Sequence, residues 1–151
     1  MNMLNEDYDI SITGRQLIDG ENGEINLFTT GAYTERGNVR FISYKEYDEE
    51  EPHKSHTAVL RVEDGKVTLT RAGSETRLIL EKDKRHLCLY DTGFGSMTLG
   101  VFTSAIDSTL AEAGGELRVK YTLDIDSNFS SSNEINVLVK RRRKIRKTPP
   151  K

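Results

Sequence analysis

Glu46 and Arg71 each end a row that is otherwise apolar or aromatic at every second position, Ile42-Tyr44-Glu46 and Val67-Leu69-Arg71. Residues two apart share one face of a β-strand. If the apolar members of these rows are buried, a carboxylate and a guanidinium go inward with them. A buried charge is costly unless it is paired, and these two can pair with each other, with Tyr44 and Tyr121 offering hydroxyl hydrogen bonds. Two chemistries fit that arrangement. In one, Arg71 is an anion anchor at the base of a small cavity, with Tyr44, Glu46 and Tyr121 completing a ligand site. In the other, the same four residues form a polar plug that closes the interior.

Other constellations are weaker. His86 and Cys88 lie two apart on one strand candidate, which would put both on one face as a dyad. Leu87 and Leu89 mark the opposite face as the inward one, so the expectation is an outward pair with no cavity to work in, and no catalytic residue is assigned. Glu49-Glu50-Glu51-Pro52-His53-Lys54-Ser55-His56 lacks metal-ligand spacing and reads as a solvated acidic loop. Asp124-Ile-Asp126-Ser-Asn128 opens like a calcium loop but puts Phe129 where the turn glycine belongs. Asp126 to Asn133 therefore reads as a polar loop between two strands. No metal and no cofactor are expected.

Charge is distributed unevenly along the chain. From Lys140 onward lie eight of the 22 lysines and arginines and none of the 24 acids, so an acidic body of residues 1–139 carries a basic tail of residues 140–151. Arg141, Arg142, Arg143, Lys144, Arg146 and Lys147 would suit sequence-blind, salt-sensitive contact with nucleic acid or the ribosome. A disordered, solubilising tail, or a strap lying back on the acidic body, is the leading expectation for them.

These side chains need a scaffold, and the period of two supplies it. Leu117-Arg-Val-Lys-Tyr-Thr-Leu-Asp-Ile125 alternates without a break, which makes a strand with one buried and one wet face. Weaker versions give strand candidates at Tyr8–Ile18, Glu24–Thr34, Val39–Tyr47, Thr57–Val62, Lys66–Arg71, Thr76–Glu81, His86–Asp91, Ser96–Ser104, Glu116–Ile125 and Glu134–Lys140. Thr103–Ala113 admits either a short helix or an extension of the preceding strand, and the strand is the better reading. Turn chemistry such as Asp19-Gly20 and Asp64-Gly65 separates the runs, and links this short join neighbours antiparallel. With no helical layer, the strands must bury their faces against one another. The fold expected is all-β: a closed antiparallel up-and-down barrel of about 8–10 strands in one domain. A barrel of that size is either filled by side chains or holds one small ligand.

Cys88 is the single cysteine, and no basic-then-apolar leader or span of roughly 20 apolar residues occurs. A cytoplasmic protein without membrane contact is expected, its oligomeric state open.

The order of several short elements also resembles a known family. They are Gly31-Ala32-Tyr33, Phe41-Ile-Ser-Tyr-Lys-Glu46, Thr70-Arg71-Ala72-Gly73, Leu89-Tyr-Asp-Thr92 with Gly95, Thr103 after Val101-Phe102, and Leu117 to Leu123. Over roughly Asp9 to Val139 the chain is similar to the YwiB-type β-barrel proteins, a domain-of-unknown-function family of Firmicute bacteria in the calycin-like superfamily. The resemblance implies a closed barrel shaped like those of lipocalins and implies no established activity. The leading expectation is a non-catalytic barrel binding a small anionic or amphipathic ligand.

Overall fold

A computed structural model describes residues 7–47, 51 and 53–142. Ten strands follow one another in chain order. They are β1 (Tyr8–Ile18), β2 (Glu21–Arg36), β3 (Val39–Tyr47), β4 (Ser55–Glu63) and β5 (Lys66–Arg71), then β6 (Arg77–Glu81), β7 (Arg85–Asp91), β8 (Ser96–Ser108), β9 (Gly114–Ile125) and β10 (Asn128–Arg141). Each pairs antiparallel with the next, and β1 closes the barrel on β10 from Tyr8↔Arg141 to Leu17↔Ser132. The expected closed up-and-down barrel is therefore the fold, at the upper end of the strand count. Among the described residues no helix is long and apolar enough to cross a membrane.

Local chemistry sets the turns. Asp19 and Gly20 both take positive φ, 49° and 80°, and so do Asp126 and Ser127, 52° and 65°. Two successive positive-φ residues match the right-handed twist of the strands they join. The second of these turns corrects one expectation. Residues 128–133 are not a loop but the start of β10, laddered to β9 with a register shift between Phe129 and Ser131. Their serines and asparagines look like loop residues, yet β9 ladders to all of them but Ser130, and β1 joins from Ser132 onward. Thr103–Ser108 continues β8, with a register shift between Thr103 and Ala105, so the strand reading of that stretch holds. Lys140 and Arg141 belong to β10, two residues past the boundary drawn at Val139.

The two ends of the barrel differ. One is packed shut: Tyr8 and Tyr33 meet edge to face at 5.5 Å, and Leu110 folds in from the β8–β9 connection. Arg141 lies over the Tyr8 ring at 5.7 Å and donates from Nη2 to its hydroxyl at 3.2 Å. Arg142 donates its backbone N–H to the Asp7 carbonyl and places Nε 3.4 Å from Asp9. The first two arginines of the basic segment are thus engaged at the seam where the barrel closes. Arg143, Lys144, Arg146 and Lys147 lie outside the described residues.

The β7 face is the reverse of the expected one. Leu87 and Leu89 are exposed, whereas Cys88 is buried. Facing follows the register with β8, which sets Cys88 against Leu99 and Tyr90 against Met97. Single leucines on a wet face are common and say little about orientation. Cys88 also has a structural task, because β6 and β7 share a single paired position, Arg77↔Leu89. The Cys88 sulfur accepts the Ile79 N–H at 3.2 Å, and the Thr76 hydroxyl oxygen accepts the Asp91 N–H at 2.9 Å, so side chains replace part of the missing ladder.

Outside, ion pairs tie strands together, Arg85 of β7 reaching Asp124 of β9 across Gly100 of β8. Arg85 holds Asp124 through two bonds of 2.6 and 3.1 Å and keeps its carboxyl below the ordinary range. His86, then Lys84, do the same for Glu81, and Asn26, then Arg15, for Glu24. Folded values below unfolded ones mean that this stabilisation is complete above the ordinary carboxylate range. It is lost as pH falls through the lowered values. The urea midpoint should therefore stay flat from pH 7 to about pH 5 and then decline. Asp124→Asn should start lower at neutral pH and show a shallower acid decline; an unchanged profile would discount the pair.

Candidate functional site

Inward-facing rows converge on a cavity of about 610 Å³. Its deep part is hydrocarbon, with Leu60 from β4, Val67 from β5, Leu78 and Leu80 from β6, and Leu117 and Val119 from β9. The aromatic-packed end forms a floor beyond these side chains. Ile18, Ile25 and Ile125 line the other end and are 41%, 75% and 41% exposed, so the mouth has an apolar lip.

Glu46 and Arg71 stand where the alternation puts them, facing inward, and they pair. Arg71 donates from Nε to Glu46 Oε1 at 2.7 Å and from Nη2 to Oε2 at 3.3 Å, a two-pronged contact. Both side chains are about a quarter exposed, 24% and 23%. Burial works against the Arg71 charge, but the hydrogen bond and charge of Glu46 outweigh it and raise the guanidinium's pKa. The pair sits near the mouth, not at the base, because Arg71 ends β5 on the side of the isoleucine lip.

The tyrosines depart from the expected plug. Tyr44 and Tyr121 line the cavity beside the pair, yet neither hydroxyl hydrogen-bonds to it among the described residues. Burial, and then the Glu46 charge, push the Tyr44 phenol up; burial does the same for Tyr121. Both phenols stay neutral at physiological pH.

Two features escaped the sequence reading. Gln16, Ser130, Ser131 and Asn133 give the cavity a neutral polar wall. The signal was there in Gln16, on the inward row of Ile12 and Ile18, but residues 130–133 were hidden by the loop assignment. The other feature is a side slot. The β2–β3 ladder begins at Gly31↔Tyr44, so Glu21–Thr29 pairs only with β1, and Lys45–Tyr47 pairs only with β4. Ile25 and Leu27 on one bank and Tyr44 and Glu46 on the other line the cavity across that gap. A second hollow of about 660 Å³ lies along the outer side of β1, β9 and β10 around Arg15, Lys120 and Glu134. Most of the residues around it are polar or charged, unlike the hydrocarbon of the barrel interior.

Among the described residues no group of three or more histidines, cysteines or carboxylates is placed to hold a metal ion. His86 lies 2.9 Å from Glu81, and burial pushes the Cys88 thiol up, away from the reactive thiolate form.

Comparison with known proteins returns the same architecture. Residues 10–137 match the family described as Domain of unknown function (DUF1934). The uncharacterized beta-barrel protein YwiB of Bacillus subtilis (strain 168) is 28% identical over 110 residues, covering 71% of this chain and 74% of the relative. The crystal structure of the ywiB protein from Bacillus subtilis superposes with a TM-score of 0.79 at 20% identity, over 90% of this chain and 92% of the other. At that identity the superposition speaks for the fold.

Proposed function

The chain belongs to the domain-of-unknown-function family DUF1934, and from the cavity at the centre of its barrel we propose that it is a non-catalytic binding barrel for a small amphipathic molecule. The apolar body of the ligand fills the space between Leu60, Leu80 and Val119, and its polar head stops at the level of Glu46 and Arg71. One observation carries the reading: an interior of about 610 Å³, shut at one end and lipped by exposed isoleucines at the other. That volume is in the usual range for a small-molecule pocket, and apolar walls with a few polar groups are its usual make-up. A cup of this kind is also what the calycin-like resemblance implies.

The direct test is titration with N-phenyl-1-naphthylamine, an uncharged fluorophore that brightens in apolar surroundings. Saturable one-to-one binding with a raised melting temperature is expected, because a ligand that binds only the folded state stabilises it. A linear, non-saturating response with no thermal shift would end the proposal.

A further inference from the structure

Resting on the binding-barrel reading, we infer that the ligand's head group is uncharged and both donates and accepts hydrogen bonds, as a carboxamide does, and is not a carboxylate. The reason is charge balance. Among the described residues, Glu46 and Arg71 are the only charged ones lining the cavity, and they already neutralise each other. A carboxylate approaching Arg71 would have to share one guanidinium with Glu46. Two carboxylates at such a distance cannot both stay ionised without cost. The Tyr44 and Tyr121 phenols do not repair the imbalance, because burial keeps both neutral.

A neutral head finds complementary partners. Arg71 uses Nε and Nη2 on Glu46, while Nη1 has no protein acceptor among the described residues. The Tyr44 and Tyr121 hydroxyls likewise have no hydrogen-bond partner there. An amide carbonyl can accept from Nη1 or a phenol, while its N–H donates to a Glu46 oxygen. An acid can make the first contact but, when ionised, not the second. Arg71 thus becomes a donor held in place by Glu46 rather than a free cation. From Arg71 to Val67 the wall drops about 13 Å at the rise of a β-strand, enough depth for a medium-length chain.

Decanamide and decanoate, identical but for the head, make the test when each displaces N-phenyl-1-naphthylamine from the full chain at pH 7. Decanamide is expected to bind at least tenfold more tightly. In Glu46→Gln, with folding checked by circular dichroism, decanoate should gain tenfold or more and the preference should narrow or invert. Decanoate binding as well as decanamide to the unsubstituted protein would overturn the inference and leave the binding barrel standing. Displacement of the fluorophore by neither would also overturn it. Failure of the fluorophore itself to bind would sink the barrel reading, and the inference with it.

Discussion

Gly31→Ala is expected to destabilise the protein by about 3 kcal/mol or more, enough to leave a marginal domain largely unfolded. A β-carbon at Gly31 would collide with the Ser43 carbonyl oxygen and lie 3.1 Å from Ile10 Cγ1. The first obstacle is backbone in the neighbouring strand, so no rotamer change relieves it. Gly31 also forms the first rung of the β2–β3 ladder, opposite Tyr44, at the end of the side slot. Pushing the strands apart there would lengthen the slot towards the closed end and unseat Tyr44. Gly14→Ala is the control. Gly14 faces the same interior with nothing within 4 Å of the added carbon and without a positive φ, so its melting temperature should barely move. Urea denaturation of both variants checks the contrast, and equal stability would mean that β2 and β3 are not so closely apposed.

Val119→Trp should reduce affinity for N-phenyl-1-naphthylamine by more than tenfold while leaving the fold intact. Val119 is fully buried and lines the deep, hydrocarbon part of the cavity. An indole placed there occupies the volume assigned to the apolar body of the ligand. Enlarging a side chain in a packed core costs about 1–3 kcal/mol, and Val119 has no accessible surface of its own, so the indole must push neighbours aside to reach the cavity. The stability change should therefore lie within that range, and circular dichroism checks that the variant is folded. Unchanged affinity in a folded variant would move the binding site away from the interior. The outer hollow around Arg15 and Lys120 would then be the place to look.

The Glu46–Arg71 pair was legible from the chain because the signal for it is local. Each charge ends an alternating row, and a charge carried inward demands a partner, whatever the register between its strand and the rest. The same reasoning placed Leu117, Val119, Tyr121, Leu123 and Ile125 on the inward face of β9, and all five line the cavity. It failed on β7, where Leu87 and Leu89 outweighed Cys88 in a hydropathy reading but not in the folded barrel. Cys88 is inward because Leu99 is its partner across β8 and because Ile79 needs an acceptor. Both facts depend on neighbouring strands. The serines of β10 misled for a related cause: they satisfy their backbone through β9, and no property of the segment itself announces that ladder.

Side-chain period and turn chemistry act over a few residues, so the sequence alone determined that this chain makes antiparallel strands closing into a barrel. It also determined that one acid and one base meet inside. Whether the barrel is hollow was beyond its reach. Cavity volume depends on how ten rows are staggered against one another, and stagger comes from pairings between distant residues. The structure decided that aromatic and aliphatic side chains pack one end shut and that β2 and β3 part company at Gly31. It also decided that the ion pair stands near the mouth of an apolar cup. Those placements leave a costly pair of charges mutually neutralised at the rim of an apolar cavity.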